Sequence, residues 1–258
     1  MIHIESPIYE LGRLTVIRRN WSRMGEYVDQ LRSLRECALR GLGIADDQII
    51  DEYDKRSDHI MAFDAGQLFG AYRLLVHEPG DIQRAGPSGQ LFHFPPDSPL
   101  SNSVVAELGR AVLLPSHQRQ HASLLVLWRA IARIVLARPE IEFVVGPVTV
   151  PSAYPKEYLR MLAAACSLKS AANWLESVVP LINPEYFDSQ PCATFEELRT
   201  LDVHLRSVGA VTRVPILLRQ YQRIGCEFTR FGRWPQFGQA YVTLGSLEIT
   251  RARLDLLQ

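Results

Sequence analysis

The stretch from Ser103 to Leu114 constrains the fold of this chain more than any other feature. It is rich in Val, Leu and Ala and is followed by Pro115, which predicts a buried β-strand. Its middle nevertheless carries Glu107 and Arg110. An ionised side chain on a buried strand is costly unless it is paired or used. The strand therefore holds either an internal salt bridge or part of a functional site.

Strand geometry gives a further expectation about this pair. Side chains alternate between the two faces of a strand, so Glu107 and Arg110 should point in opposite directions if the strand is regular. Gly109 lies between them, where a β-bulge is inexpensive because glycine tolerates unusual backbone angles. We therefore predict a bulged central strand with the acid and the base on one side.

Composition and charge restrict the function classes. The chain has 258 residues, of which 47% are hydrophobic, and its 28 basic and 28 acidic side chains cancel. This balance gives no support for nucleic acid as a partner. No segment resembles a secretory signal, no apolar run approaches the ~18 residues of a membrane span, and the cysteines lack C-x-x-C spacing. We expect a cytoplasmic protein with reduced thiols, and contact with a membrane surface stays open.

Strand-like and helical segments alternate without a linker, which favours one mixed α/β domain spanning residues 1–258 over two domains. Residues 79–99 contain five prolines and three glycines and predict a long loop. Residues 170–200 are irregular and aromatic, so C-terminal elaborations begin at about residue 170. The predicted strands are 14–17, 60–63, 68–76, 103–114, 141–150 and parts of 226–247, and the predicted helices are 21–42, 123–137, 156–168 and 215–224.

The segment after the Glu107 strand offers other candidate sites. His117 and His121 have the spacing of two metal ligands on a helix, but no third ligand is evident, so we expect no metal. Ser116 lacks the glycines of a nucleophile elbow, which argues against a hydrolase. Gln118 and Arg119 precede a helix whose backbone N–H groups would suit a phosphate or pyrophosphate; the alternative is a solvated helix entry.

Four motifs occur in a distinctive order along the first half of the chain. They are Leu34-Arg35, the DEYDKRSDH run at 51–59, GAYRL at 70–74 and AELGR at 106–110. Together they resemble the N-acyltransferases related to acyl-homoserine lactone synthases. Within that group the chain is most similar to the N-acyl amino acid synthases and the ornithine N-acyltransferases, which have the GNAT fold. The resemblance covers roughly residues 21–150, with a fainter echo at 214–221.

The resemblance implies a GNAT-like mixed central sheet flanked by helices. It also implies a long-chain acyl donor carried as a thioester on acyl carrier protein or CoA, a small-molecule amine acceptor such as an amino acid, and no cofactor. The donor's pantetheine arm would lie beside the Glu107 strand. Residues 79–99 and 170–200 would either wall a channel for the acyl chain or cover the sheet.

The resemblance also carries roles to individual residues. Glu107 and Arg110 match the catalytic strand residues, and Gln118, Arg119 and His121 fall where the donor would bind. The glycines of the acetyl-CoA loop motif are absent there, and Ile49 replaces an acidic residue usual in lactone synthases. The substrate-binding residues implied by the resemblance are Arg35, Asp51, Asp54 and Arg73.

The chemistry of these residues fits acyl transfer. An ammonium acceptor must lose a proton before it attacks a thioester, and Glu107 is suited to accept it directly or through water. A backbone N–H freed by a bulge would stabilise the oxyanion of the tetrahedral intermediate that forms when the amine attacks the thioester. Arg110 either holds Glu107 or grips an acceptor carboxylate. Asp51 and Asp54 either contact the acceptor amine or order the loop after the first helix.

Two other functions remain open from the sequence. One is a synthase whose product cyclises to a lactone signal. The other is a non-catalytic protein that binds an acyl chain or an acyl carrier protein.

Overall fold

The computed structural model describes residues 7–39, 46–118, 120–167, 173–182, 197–210 and 212–252. The strands and helices follow one another as β1 (Tyr9–Leu11), β2 (Leu14–Asn20), α1 (Tyr27–Leu39), β3 (Asp58–Asp64), β4 (Gln67–His77), α2 (Ile82–Ala85), β5 (Phe92–His93), α3 (Pro99–Asn102), β6 (Val104–Leu113), α4 (Pro115–Gln118), α5 (His121–Leu136), β7 (Ile141–Val150), α6 (Lys156–Ser167), β8 (Val179–Pro180), α7 (Leu198–Ser207), α8 (Ile216–Arg223), β9 (Glu227–Phe228), β10 (Gly232–Trp234) and β11 (Ala240–Glu248).

The chain divides into two compact units, one of residues 1–76, 106–141 and 254–258 and one of residues 77–105 and 142–253. The single domain expected from the sequence stays a prediction. None of the helices in the described ranges combines the length and the apolar character needed to cross a membrane.

The first unit is built on strands in the order β1-β2-β3-β4-β6. β2, β3 and β4 pair antiparallel, and β3 and β4 are joined at Ala65 and Gly66, as the sequence predicts. Helix α1 packs on this sheet because apolar residues recur along one of its faces. The core formed in this way consists of Ile17, Met24, Tyr27, Leu31, Leu34, Met61, Phe63, Ala71 and Val112.

The second unit contains strands in the order β7-β11-β10, with β9 also paired to β11 and a separate β5–β8 pair. β10 and β11 form an antiparallel hairpin, which confirms the strands expected in the tail. Strand β11 is buried over nearly its whole length. The core of this unit consists of Ile82, Leu91, Phe92, Phe94, Leu100, Val105, Phe143, Val145, Val178, Val242 and Leu244.

The predicted helix over residues 21–42 is wrong at its start. Trp21–Arg23 forms a 3-10 turn, and α1 begins only at Tyr27. Gly25 lies between them with φ +47°, a left-handed angle that interrupts a right-handed helix. The predicted end of the helix, beyond Leu39, lies outside the described residues.

The connection over 79–99, predicted as a long loop, contains short regular elements. The segment contains α2, a 3-10 turn at Pro87–Gln90 and β5, and its apolar residues are part of the core of the second unit. The Gln83 side chain holds it together by donating to the carbonyl oxygens of Gly89 and Phe92 and accepting from the N–H of Phe94. This packing favours the alternative in which the segment covers the sheet.

The expectation for 170–200 is tested only in part. Asn173–Ser177 forms a 3-10 turn, Val179–Pro180 pairs with β5, and α7 begins at Leu198. Residues 170–172 and 183–196 lie outside the described part of the chain.

Candidate active site

The candidate site is built on the segment between α1 and β3. Its described part, residues 46–57, contains two 3-10 turns, Asp46–Gln48 and Asp54–Arg56. Asp51 and Asp54 brace each other's backbone, because the Asp51 N–H donates to Asp54 Oδ2 at 2.9 Å and the Asp54 N–H donates to Asp51 Oδ1 at 3.1 Å. Such reciprocal side-chain bonds fix a turn that has no helix or sheet partner.

Arg35 and Asp54 form a completely buried ion pair inside this segment. Both side chains are 0% exposed, and the guanidinium meets the carboxylate with two bonds, of 2.7 and 2.9 Å. Arg35 Nη1 also donates to the carbonyl oxygen of Ile49 at 2.8 Å. The pair therefore ties α1 to the 46–56 segment, which favours loop ordering over contact with a substrate.

Asp51 links this segment to two strands of the sheet. Its Oδ1 accepts from Arg73 Nη1 of β4 at 2.6 Å, and its Oδ2 accepts from Arg110 Nη2 of β6 at 3.0 Å. Arg110 Nη2 also donates to the Gln48 carbonyl oxygen at 2.7 Å. Three arginines and two aspartates thus form one network in the first unit, and we call Arg35, Asp51, Asp54, Arg73 and Arg110 the ionic network.

The ionic network keeps its carboxylates charged. Burial by itself would raise the pKa of Asp54, but the hydrogen bonds and charge of Arg35, with the charge of Arg73, outweigh burial and lower that pKa to about 2. Burial likewise opposes ionisation of Asp51, yet Arg73 and Arg110 lower its pKa. Burial and the nearby charge of Arg73 lower the pKa of Arg110.

Acid is therefore expected to loosen this segment. The pKa of Asp54 is about 2 in the fold against an ordinary 3.8. Its stabilising contribution, about 2 kcal/mol, should be complete above pH ~4 and be lost as the pH falls through about 2. Urea unfolding of the wild type at several pH values between about 6 and about 2 measures this. An Asp54→Asn variant should lose the part of the acid dependence that comes from Asp54, and an unchanged slope would contradict the assignment.

β6 departs from regular strand geometry where the charged pair lies. Arg110 has φ +51°, a left-handed angle that is rare for any residue except glycine. The irregularity expected near Gly109 thus falls one residue further along, at Arg110 itself. Backbone strain of this kind costs about 1–3 kcal/mol and persists where the surroundings hold it. Here Asp51 and the Gln48 carbonyl hold the side chain.

Arg110 has an unused hydrogen-bond donor within this network. Its side chain is only 11% exposed, and its hydrogen bonds to Asp51 and Gln48 both come from Nη2. Nη1 is buried and has no hydrogen-bond partner among the described residues. A buried guanidinium N–H without an acceptor is costly, so this nitrogen is suited to receive an anionic group.

Glu107 is buried on the same strand, at 2% exposure. Burial and the negative charges of Glu52 and Glu107 raise the pKa of the Tyr53 phenol. The Tyr53 ring in turn lies within 5.6 Å of the Arg73 guanidinium carbon and 5.2 Å of that of Arg56. Glu107 and the ionic network therefore neighbour the same short segment.

The predicted donor-binding residues lie after β6. Gln118 is exposed and donates from Nε2 to the Leu113 carbonyl oxygen at 3.0 Å. Arg119 and the His121 side chain lie outside the described residues. His117 stacks on Phe69 with ring centroids 4.4 Å apart, and its Nε2 is 3.3 Å from Asp64 Oδ2. In the described ranges no cluster of three or more His, Cys, Asp or Glu side chains is arranged to hold a metal.

Four residues that support the site, Gln48, Ile49, Tyr53 and His59, were given no structural role from the sequence. The backbone carbonyls of Gln48 and Ile49 accept from arginines, and no residue pattern marks a carbonyl as an acceptor. Tyr53 could have been predicted as part of the site, because it lies between the two aspartates of the acidic motif. His59 supports the segment by bonding the Asp54 carbonyl oxygen at 3.0 Å, and burial lowers its pKa.

Comparisons with known proteins agree on the architecture. Residues 35–129, which include the whole ionic network and Glu107, match the model of the acetyltransferase (GNAT) domain. The structure of the GNAT-like decarboxylase GphF in complex with isobutyryl-CoA superposes with a TM-score of 0.50 at 14% identity, covering 90% of this chain and 98% of that one.

The protein has the GNAT fold. The loading GNATL domain of CurA from Lyngbya majuscula is also similar, with a TM-score of 0.47, 16% identity and coverage of 92% and 98% of the two chains. The acyl-homoserine lactone synthase LasI matches with a TM-score of 0.41, 14% identity and coverage of 90% and 88%. No curated protein sequence matches significantly. The GNAT fold expected from the four motifs is thus confirmed.

Proposed function

We propose that this protein is an N-acyltransferase that moves a long-chain fatty acyl group from a thioester to the amine of an amino acid or a related acceptor. The observation that carries the proposal is the placement of buried Glu107 on the same strand as Arg110, whose buried Nη1 has no partner among the described residues. A base and an anion-binding donor three positions apart on one strand suit a substrate that carries both an amine and a carboxylate.

Each group has a defined role in the proposed reaction. The acceptor carboxylate binds Arg110 Nη1, which orients the acceptor. Glu107 takes a proton from the acceptor ammonium, directly or through water, and the free amine attacks the thioester carbonyl carbon. The C–N bond forms and the C–S bond breaks. The second proton lost by the attacking nitrogen passes to the departing sulfur, which leaves as a thiol. No covalent enzyme intermediate is required.

The other members of the ionic network position these groups. Asp51 and the Gln48 carbonyl hold the Arg110 guanidinium through Nη2, which leaves Nη1 for the acceptor. Arg73 holds Asp51, and the Arg35–Asp54 pair anchors the segment that carries them. We therefore assign Arg35 and Asp54 a positioning role and reserve substrate contact for Arg110.

The donor is proposed to be an acyl group on the phosphopantetheine of acyl carrier protein or on CoA, with Gln118, Arg119 and His121 contributing to its binding. Two observations support a thioester donor. Residues 35–129 match an acetyltransferase domain, and GphF, which shares the fold, was crystallised with isobutyryl-CoA.

Mass spectrometry of lipid extracts tests the proposal directly. Cells expressing the wild type should accumulate an N-acylated amine that cells expressing Glu107→Gln lack, and its fragments identify the acceptor. A product with a closed lactone ring would instead identify the signal-synthase alternative. If purified protein supplied with acyl-CoA, acylated carrier protein and a panel of amino acids forms no product, the proposal is wrong and the binding-protein alternative takes its place.

Replacing Arg110 by Gln tests the contact with the acceptor. The variant is expected to raise the KM for a free amino acid by about 10–100-fold, because a charge-assisted bond to the carboxylate is lost. The KM for the matching amino acid amide, which has no carboxylate charge, should change less than about threefold. Steady-state kinetics with the two acceptors measures both values. The control is Arg18→Gln, which removes a partly exposed arginine that pairs with Asp58, and equal losses for both acceptors would contradict the role.

A further inference from the structure

Helices α7 and α8 form a hairpin in the second unit that is fastened by one buried carboxylate. Asp202 is 2% exposed, and it accepts from Arg206 of its own helix, from Arg219 of α8 at 2.9 Å and from the Val214 N–H at 3.2 Å. Leu198, Leu201 and Leu205 of α7 and Leu218 of α8 are buried beneath it. Both helices of the hairpin are thus held by contacts to the buried Asp202 and by buried leucines.

The exposed surface of this hairpin carries three large apolar side chains among polar ones. On α7, Val203 is 60% exposed, and at the end of the helix Val208 is 59% exposed. At the first residue of α8, Ile216 is 47% exposed. These three account for half of the six large hydrophobic side chains that are exposed in the described part of the chain. Isolated exposed apolar residues are ordinary, but a group on one small hairpin indicates a contact surface.

Arginines surround these apolar side chains. Arg199 and Arg206 lie one turn on either side of Val203 on the outer face of α7, and Arg213 and Arg223 are exposed in the turn and at the end of α8. Residues 197–227 contain five arginines and three acids, Glu197, the buried Asp202 and Glu227. In a chain whose total charge is zero, this segment has a net positive charge.

We propose that the α7–α8 hairpin is a docking surface for a membrane that contains anionic phospholipid. Arginine side chains would bind the lipid phosphates while Val203, Val208 and Ile216 enter the headgroup boundary. An acidic protein would satisfy the arginines equally well. The exposed side chains of Val203, Val208 and Ile216 favour a membrane over an acidic protein, because a membrane has an apolar layer beneath its charged headgroups. The inference does not depend on the proposed function.

Vesicle flotation with the wild-type chain of 258 residues tests this proposal. The protein should float with vesicles in which roughly one third of the phosphatidylcholine is replaced by phosphatidylglycerol, should not float with phosphatidylcholine alone, and should be released by about 0.5 M NaCl. Binding to the mixed vesicles should fall about tenfold or more in Arg199→Glu/Arg213→Glu. A similar loss is expected in Val203→Ser/Val208→Ser.

Matched surface changes in the first unit provide the controls. Arg32 of α1 is exposed and Leu136 of α5 is 55% exposed, so Arg32→Glu and Leu136→Ser change the same chemistry elsewhere on the chain. Both should bind the mixed vesicles like the wild type, and circular dichroism checks that every variant is folded. The proposal is overturned if the wild type does not float, or if the control variants lose as much binding as the hairpin variants. It is also overturned if the hairpin binds purified acyl carrier protein but no vesicle.

Discussion

Glu107→Gln is expected to lower kcat by about 10²–10⁴-fold while the KM for the acyl donor changes by less than about threefold. The amide keeps the shape of the side chain but does not accept the acceptor's proton. The residue is buried on β6, so a bulk base has little access to replace it. Thiol release from acyl-CoA or acylated carrier protein, followed at saturating acceptor, measures kcat.

The control for this result is Glu142→Gln. Glu142 also lies on a strand, β7, but is exposed, so its amide should leave kcat unchanged. Thermal unfolding of both variants separates a catalytic defect from a folding defect. A folded Glu107→Gln enzyme with wild-type kcat would exclude Glu107 as the base.

Asp54→Ala is expected to destabilise the protein by about 3–5 kcal/mol, because it leaves the fully buried guanidinium of Arg35 without its carboxylate. Urea unfolding at neutral pH measures the change. Asp58→Ala removes an aspartate from a pair with Arg18, whose side chain is 41% exposed, and should cost less than about 1 kcal/mol.

A double replacement distinguishes two possible causes of the stability lost in Asp54→Ala. If the cost of Asp54→Ala comes from an unpaired buried charge, replacing both partners, as in Arg35→Met/Asp54→Leu, should recover much of the stability. If the double variant is no more stable than Asp54→Ala, the pair itself stabilises the fold. In either case the 46–56 segment should shift from its native position in the double variant, because Arg35 also donates to the Ile49 carbonyl.

The predicted effects on catalysis and on stability both depend on contacts in the proposed site. The Arg35–Asp54 pair anchors a segment whose Asp51 side chain and Gln48 carbonyl hold Arg110. A shift of that segment would misplace the guanidinium that we propose binds the acceptor, and small misplacements of positioning groups cost activity. Stability and specificity therefore depend on the same buried network.

Much of the fold was predictable because its signals are local. The β3–β4 hairpin follows from two apolar runs separated by Asp64, Ala65 and Gly66, and α5 and β7 lie close to their predicted bounds. Helix α7 was missed, although Leu198, Leu201 and Leu205 have helical spacing, because the segment before it suggested an irregular region.

The sequence by itself determined that an acid and a base would occupy a buried strand, and that this strand would depart from regular geometry beside Gly109. These follow from composition and from the period of the side chains, which are properties of neighbouring residues. Only the tertiary structure decided that Arg110 binds Asp51 and Gln48, which are 59 and 62 positions away, and that the strain falls on Arg110 itself. A long arginine reaches several carboxylates and carbonyls once the chain is folded, and the choice among them depends on distances that no local pattern contains.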